Sequence, residues 1–180
     1  SDYELYMLKM KGRKPIYGSN LFEEVERFAK EAALIAKEEQ FDIIHCHDWM
    51  TYEAGIAAKR VSGKPLVVHV HATEFDRTGG LGGNEHVCRI EKEGMEKADA
   101  VIAVSGYTKQ KVIERYGIPE PKIKVVHNAI DRNDIPKVYA EKNPGQKTVL
   151  YLGRITLQKG PDYFIEAAKK ALEADPNLRF

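Results

Sequence analysis

Segments rich in apolar residues alternate with longer helical segments along most of this chain, and this alternation constrains the fold more than any other feature. The predicted strands are 41–47, 66–71, 100–104 and 123–126, and the predicted helices are 21–35, 52–61, 85–97 and 107–116. Strands that are apolar on both faces are typical of parallel sheets covered by helices on both sides. The pattern therefore predicts a Rossmann-like α/β fold.

The alternation stops at residues 131–146, where asparagine, proline and glycine cluster, and then restarts. Residues 1–130 are therefore predicted to form most of a first Rossmann-like domain, 131–146 a linker, and 147–180 the first β-α unit of a second domain. In that unit we expect a strand at 148–152 and a helix at 161–174. One such unit cannot bury a core, so the second domain is expected to be truncated. A weaker strand pattern covers 3–10, and the glycine-rich 73–84 is expected to be a loop.

Charge and cysteine content exclude several classes of protein. The 28 lysine and arginine residues nearly balance the 27 aspartate and glutamate residues, which argues against a nucleic-acid-binding protein with a broad basic face. No apolar run approaches the roughly 20 residues needed to cross a bilayer, and the N-terminus lacks a secretory signal pattern. Cys46 and Cys88 cannot form a disulfide framework, so a cytoplasmic location is expected. Because the first residue is Ser1, the chain is expected to be a fragment.

Polar residues follow the predicted strands, and in open parallel sheets ligands bind beyond the carboxyl ends of the strands. Because these ends meet at one edge of the sheet, we expect the residues that follow them to line a binding cleft. Strand by strand, the candidates are His47 and Asp48; His71, Thr73 and Glu74; Ser105; His127 and Asn128; and Gly153 with Arg154.

Two His-x-His pairs allow two interpretations. Residues two apart on a strand face the same side, so His45 shares a face with His47, and His69 with His71. Two such pairs could bind a metal ion in a metal-dependent hydrolase. In the alternative, His45 and His69 are hydrogen-bonded core residues, and only the strand-end histidines reach solvent. A hydrolase would need further ligands from later strands, and residues 101–103 offer none.

Arg154 and Lys159 lie in one short segment between a predicted strand and a predicted helix. Backbone N–H groups at a helix start, together with two cations in one loop, suit a diphosphate. Arginine binds phosphate oxygens in a fork, and lysine adds a mobile point charge. The alternative is two solvated surface cations in a turn. The segment has neither the GxxxxGK[ST] order of a P-loop nor the GxGxxG order of a dinucleotide site.

Five motifs, in the same order as in a known family, extend over nearly the whole chain. They are DIIHCHDW at 42–49, HATEFD at 71–76, IEKEGMEKADAVIAVS at 90–105, VVHNAID at 125–131 and LYLGRITLQKG at 150–160. Together they resemble the group 1 glycosyltransferases, in the glycogen synthase-like branch with the two-domain GT-B fold.

The resemblance implies transfer of a sugar from a nucleotide-sugar donor to a glycan acceptor, an α-glucan in that branch, with retention at the anomeric carbon. It implies that Arg154 and Lys159 hold the donor diphosphate and offset the charge that develops on it. His47 would lie near the transferred sugar, and the other strand-end candidates would line the cleft. Side-chain cations replace a divalent metal in such enzymes, so no metal cofactor is expected.

Three departures from the family pattern bear on activity. The family's N-terminal strand with its glycine-rich loop has no counterpart, and the paired-glutamate motif of the second domain is absent, because Glu166 and Glu173 have only six residues between them. The usual Asn-Gly is Asn128-Ala129. The chain alone is therefore expected to be inactive. Besides the hydrolase, the alternative left open is a non-catalytic carbohydrate- or nucleotide-binding module, and the oligomeric state is undetermined.

Overall fold

The computed structural model describes residues 20–80, 82–131, 133 and 147–180. The strand expected at 3–10 and nearly all of the linker expected at 131–146 lie outside these residues. The described residues fall into two compact units. The first extends to His69 and includes Ile90–Ile102; the second comprises Val70–Arg89 and the residues from Ala103 to Phe180. The predicted domain boundaries stay a prediction.

Four strands within the described ranges form one sheet in the order β1-β2-β3-β4. They are β1 (Ile44–His47), β2 (Leu66–Val70), β3 (Ala100–Ala103) and β4 (Ile123–Val125). β1 and β2 are parallel, with Ile44 opposite Leu66 and His47 opposite His69. A parallel sheet with flanking helices confirms the predicted α/β fold class.

Within the described residues the sequence pattern predicts five of the six helices, all but the short one at Glu74–Arg77. They are α1 (Leu21–Glu38), α2 (Trp49–Ser62), α3 (Glu74–Arg77), α4 (Glu85–Lys97), α5 (Gly106–Tyr116) and α6 (Pro161–Ala174). α2 and α5 each end at a glycine in the left-handed conformation, Gly63 and Gly117, where a side chain would be strained. None of these helices combines the length and apolarity needed to span a membrane.

The core of the first unit is built around β2. Leu66 and Val68 have no exposed surface. The start of β2 is held by Asp99, whose carboxylate accepts hydrogen bonds from the Leu66 N–H at 2.7 Å and from Lys59 Nζ at 2.8 Å. α4 approaches α2 closely because Gly94 has no side chain: a Cβ there would lie 2.3 Å from Tyr52 Cδ2.

Two predicted elements differ from the structure. The segment 148–152 is not a strand: Thr148 makes one isolated parallel bridge with Arg179. A strand is extended by pairing with a neighbour, and here the pairing ends at that bridge. The expected loop at 73–84 contains α3, a helical turn that begins at Glu74 and is capped by Thr73, which forms a capping box with Asp76.

Candidate functional site

The turn after β1 holds the first two candidate residues in a defined geometry. His47 is exposed at the last position of the strand. Asp48 has φ 59° and ψ 168°, a conformation otherwise found almost only in glycine. Its N–H donates to the His69 carbonyl oxygen at 3.0 Å, and Thr51 Oγ1 donates to the His47 carbonyl oxygen at 2.9 Å. These two hydrogen bonds therefore fix the strained strand-to-helix turn that carries His47.

Three histidines form a cluster, here called the histidine cluster, on one face of β1 and β2. His45 and His47 are two apart on β1, and His69 lies opposite His47 on β2. The ring centroids are 4.3 Å apart for His45 and His47, 5.1 Å for His47 and His69, and 5.5 Å for His45 and His69. His71 is outside this cluster. His45 is exposed, so the interpretation that made it a core residue is wrong.

After β2, Thr73 and Asp76 form a partly buried polar network with Lys111 of α5. The Thr73 N–H and hydroxyl donate to Asp76 Oδ2 at 2.7 and 2.8 Å, and Lys111 Nζ donates to Asp76 Oδ1. Burial opposes ionisation of Asp76, but the hydrogen bonds from Lys111 and Thr73 outweigh it and lower the pKa of the carboxyl. Thr73 has no exposed surface, so its hydroxyl holds α3, and its role in substrate binding stays a prediction.

Glu74 fastens the glycine-rich segment that follows α3. Its Oε1 accepts a hydrogen bond from the Asn84 N–H at 3.1 Å, and its side chain is 12% exposed. Gly83 packs against it so closely that a Cβ would lie 2.8 Å from Glu74 Cγ. His71, half-buried, precedes this segment. The structure thus gives Glu74 a contact within the protein, and the predicted substrate contact is untested.

The candidates after β3 and β4 differ in accessibility. Ser105 caps α5: its Oγ accepts from the Thr108 N–H at 3.0 Å. Asn128 is exposed, and it follows His127, whose Nδ1 lies 3.1 Å from the Val104 carbonyl oxygen. The Asn128 side chain is therefore accessible to a ligand, whereas the Ser105 hydroxyl already caps α5.

The segment with Gly153, Arg154 and Lys159 is a compact turn. Residues Leu157–Lys159 form a 3-10 turn, and Gly160, at φ 59°, leads directly into α6. Tyr151 Oη lies 3.4 Å from the carbonyl oxygens of both Arg154 and Lys159, and the Thr156 N–H donates to the Arg154 carbonyl at 2.9 Å. Both cationic side chains are exposed. Two exposed cations thus extend from one turn, held by hydrogen bonds, at a helix start.

Within the second unit, the structure brings two of the predicted groups together. α3, which carries Glu74, contacts the 3-10 turn that ends at Lys159. A Cβ on Gly79 would lie 3.5 Å from Leu157 Cδ2, so the glycine-rich segment also approaches this turn. His47 and Asp48 belong to the first unit.

Sequence reasoning missed three residues that shape these sites: Tyr151, Asp76 and Lys111. Tyr151 lies in a motif identified in the sequence, yet its bracing of the turn depends on tertiary contacts. Asp76 has a local signal, since Thr73 and Asp76 are spaced as a capping box. Lys111 is 35 residues from Asp76, and nothing in the sequence pairs the two.

Comparisons with known proteins agree on one family. The domain described as Glycosyltransferase Family 4 matches residues 8–134. An uncharacterized glycosyltransferase of Methanocaldococcus jannaschii is 35% identical over 161 residues, covering 82% of this chain and 41% of that protein. A D-inositol 3-phosphate glycosyltransferase of Nocardiopsis dassonvillei is 28% identical, covering 78% and 36%. A glycogen synthase of Mycobacterium tuberculosis is 29% identical, covering 77% and 32%. The match thus spans only about two fifths or less of the length of each relative.

Proposed function

The chain belongs to glycosyltransferase family 4, and from this we propose that the longer protein transfers a hexose from a nucleotide-sugar donor to an acceptor hydroxyl, with retention at the anomeric carbon. The observation that carries the proposal is the braced turn at 153–160. It offers a guanidinium and an ammonium from one segment, directly before the N-terminus of α6. We assign the donor diphosphate to this turn.

Arg154 and Lys159 would act on the leaving group. When the bond from the anomeric carbon to the donor oxygen breaks, negative charge collects on the diphosphate. Cations already in place stabilise that charge more in the transition state than in the ground state, which lowers the barrier. The brace from Tyr151 limits the backbone freedom of the turn, so less ordering is needed when the donor binds.

His47 is proposed to contact the transferred sugar. The exposed imidazole of His47 can form a hydrogen bond with a hydroxyl of the sugar. The backbone carbonyl of His47 can face the positive charge that develops at the anomeric carbon. Asp48, His71, Glu74, Asn128 and Gly153 are proposed to line the cleft. Thr73 and Ser105 belong to the same proposal, through the helix starts that they hold.

We propose that catalysis needs no metal cofactor and that this chain alone has no transferase activity. The protein is proposed to work in the cytoplasm. Cys46 and Cys88 are thiols and are not joined in a disulfide, which suits a reducing compartment. Cys46 is buried, and burial raises the pKa of its thiol, which makes it a poor nucleophile.

The test uses the longer protein, with ADP-, UDP- and GDP-sugars as donors and a glucan or an inositol phosphate as acceptor. Arg154→Ala and Lys159→Ala are each expected to cost on the order of 2–4 kcal/mol of transition-state stabilisation, which is roughly 30- to 900-fold in kcat/KM. Lys169→Ala, which removes an exposed cation from α6, is the matched control and is expected to retain activity.

Melting temperatures separate catalytic loss from unfolding, because both cations are exposed and their removal should leave stability unchanged. Wild-type rates in Arg154→Ala and Lys159→Ala would disprove the assignment of the diphosphate to this turn. His47→Ala is expected to reduce the rate as well.

A further inference from the structure

The histidine cluster has the composition of a transition-metal site. One ring nitrogen from each of His45, His47 and His69 can be chosen so that all three lie within 4.8 Å of one another. Three imidazoles are the ligand set of zinc sites that keep a fourth position open for water. Imidazole favours zinc, copper and nickel, whereas magnesium and calcium prefer oxygen ligands.

The backbone holds these side chains on one face of the sheet. Parallel pairing sets His47 opposite His69, and the period of two along β1 brings His45 to the same side. The turn beyond His47 is pinned by the hydrogen bond from Asp48 to His69. Forming a metal site therefore requires side-chain rotation and no rearrangement of the strands.

Binding a tetrahedral zinc ion would require only a small change in the spacing of the three ring nitrogens. Nitrogens bound to zinc at about 2.0–2.1 Å in a tetrahedron are about 3.3 Å apart. The ring nitrogens lie within 4.8 Å of one another, and rotation of the exposed His45 and His47 side chains can bring them to this spacing. The same exposure gives an ion a path from solvent.

We propose that His45, His47 and His69 bind one zinc-like transition-metal ion, with water in the fourth position, and that this ion excludes the sugar from His47. The exclusion rests on the proposed function, because it assumes that His47 contacts the transferred sugar. The ion is an inhibitor in this scheme and takes no part in the transfer.

Binding is tested on the 180-residue chain without a histidine tag, by titration calorimetry with Zn²⁺ and by the visible absorption of Co²⁺. We expect one equivalent of Zn²⁺ and an absorption typical of a tetrahedral site. His45→Gln and His69→Gln are each expected to weaken binding at least about tenfold, the loss that even second-layer changes around a metal produce. His86→Gln removes an imidazole from α4, outside the cluster, and is the matched control.

Circular dichroism and melting curves establish that each variant is folded, and the two cluster variants provide independent readings if one of them is not. Absence of Zn²⁺ binding by the wild-type chain would overturn the site. The site would also be overturned if the His86→Gln variant lost Zn²⁺ binding while both cluster variants retained it.

Exclusion of the sugar is tested on the longer protein, with Zn²⁺ added during transfer and Mg²⁺ as the control ion. We expect Zn²⁺ to inhibit the wild type. The His45→Gln variant is expected to need a Zn²⁺ concentration at least about tenfold higher before its own transfer rate falls by the same fraction. Zn²⁺ bound without inhibition would disprove the exclusion. A longer protein that transfers no sugar would disprove the proposed function, while the zinc titration of this chain stands on its own.

Discussion

At the scale of single residues, Asp48 is the position where geometry departs most from ordinary preference. A residue with a side chain at φ 59° and ψ 168° costs about 1–3 kcal/mol of strain. The strain persists because Asp48 is held between the His69 carbonyl and the start of α2. Its place directly after His47 links the strain to the candidate site, since strained backbone tends to persist where function requires it.

Asp48→Gly is expected to raise the free energy of unfolding by about 1 kcal/mol, because glycine adopts this conformation without strain. Urea unfolding of the chain measures the change. Asp48→Ala is the control: it removes the carboxylate and keeps the strain, so no gain is expected. A stability of Asp48→Gly at or below that of Asp48→Ala would contradict the account. In the longer protein, both variants should lose transfer activity if the carboxylate lines the cleft.

At the scale of elements, α3 depends on a polar network and has no buried residue of its own. Asp76 accepts from Thr73 at the start of the helix and from Lys111 of α5. Burial works against the charge of Lys111 too, but the hydrogen bonds to Asp76 and Tyr107, together with the charges of these two groups, outweigh it and raise the pKa of the ammonium. The network therefore joins the turn after β2 to α5 through one carboxylate.

The two shifts give opposite pH dependences. Because the pKa of Asp76 is lowered in the folded state, its contribution to stability is complete above the ordinary aspartate pKa of about 3.9 and is lost as the pH falls through the folded value. Because the pKa of Lys111 is raised, its contribution is complete below about 10.4 and is lost as the pH rises through the folded value.

Asp76→Asn is expected to destabilise the chain by about 1–3 kcal/mol at neutral pH, since Lys111 and Thr73 lose a charged acceptor. The variant should also show a flatter loss of stability between about pH 5 and pH 2. Urea midpoints across this range provide the measurement. Asp162→Asn, at an exposed position in the first turn of α6, should follow the wild type. An acid profile of Asp76→Asn as steep as that of the wild type would contradict the role of the network.

At the scale of the whole molecule, burial is distributed unevenly. Leu66, Val68 and Val101 are fully buried, whereas Leu150 is 79% and Leu152 91% exposed. Within residues 147–180, Ala168 is the buried residue. This segment therefore has little apolar contact to stabilise it. The prediction that 147–180 is the start of a second domain would account for this exposure, since further elements would cover these side chains.

Hydrogen exchange should reflect this distribution. Segments with few buried apolar contacts open more often, so amides of α6 are expected to exchange at least about tenfold faster than those of β2 and β3 in this chain. Exchange measured by mass spectrometry gives both values in one experiment. The same α6 peptides in the longer protein should be better protected. Equal protection of α6 and β2 in the isolated chain would contradict the interpretation of 147–180 as an incomplete domain.

The sequence by itself determined those features that depend on a few neighbouring residues or on motifs shared with a known family. Helical periodicity predicted most of the helices, and α4 and α6 have the predicted bounds, because this signal acts over a few residues. Gly63 and Gly117, where α2 and α5 end, are local stop signals of the same kind. The five motifs together led to the glycosyltransferase resemblance, which the family match over residues 8–134 confirms. The roles of Arg154 and Lys159 follow from that resemblance and stay a prediction.

The tertiary structure decided whatever depends on partners distant in the chain. Strand pairing placed His69 opposite His47 and made one cluster from residues 22 positions apart, where the sequence pattern had paired His69 with His71. Pairing also left 148–152 with one bridge, and docking of α5 gave Asp76 its lysine. These outcomes share one physical reason. The periodicity of the sequence specifies which face of a strand or helix a residue occupies, but which residue it contacts there depends on how the elements of the whole chain pack.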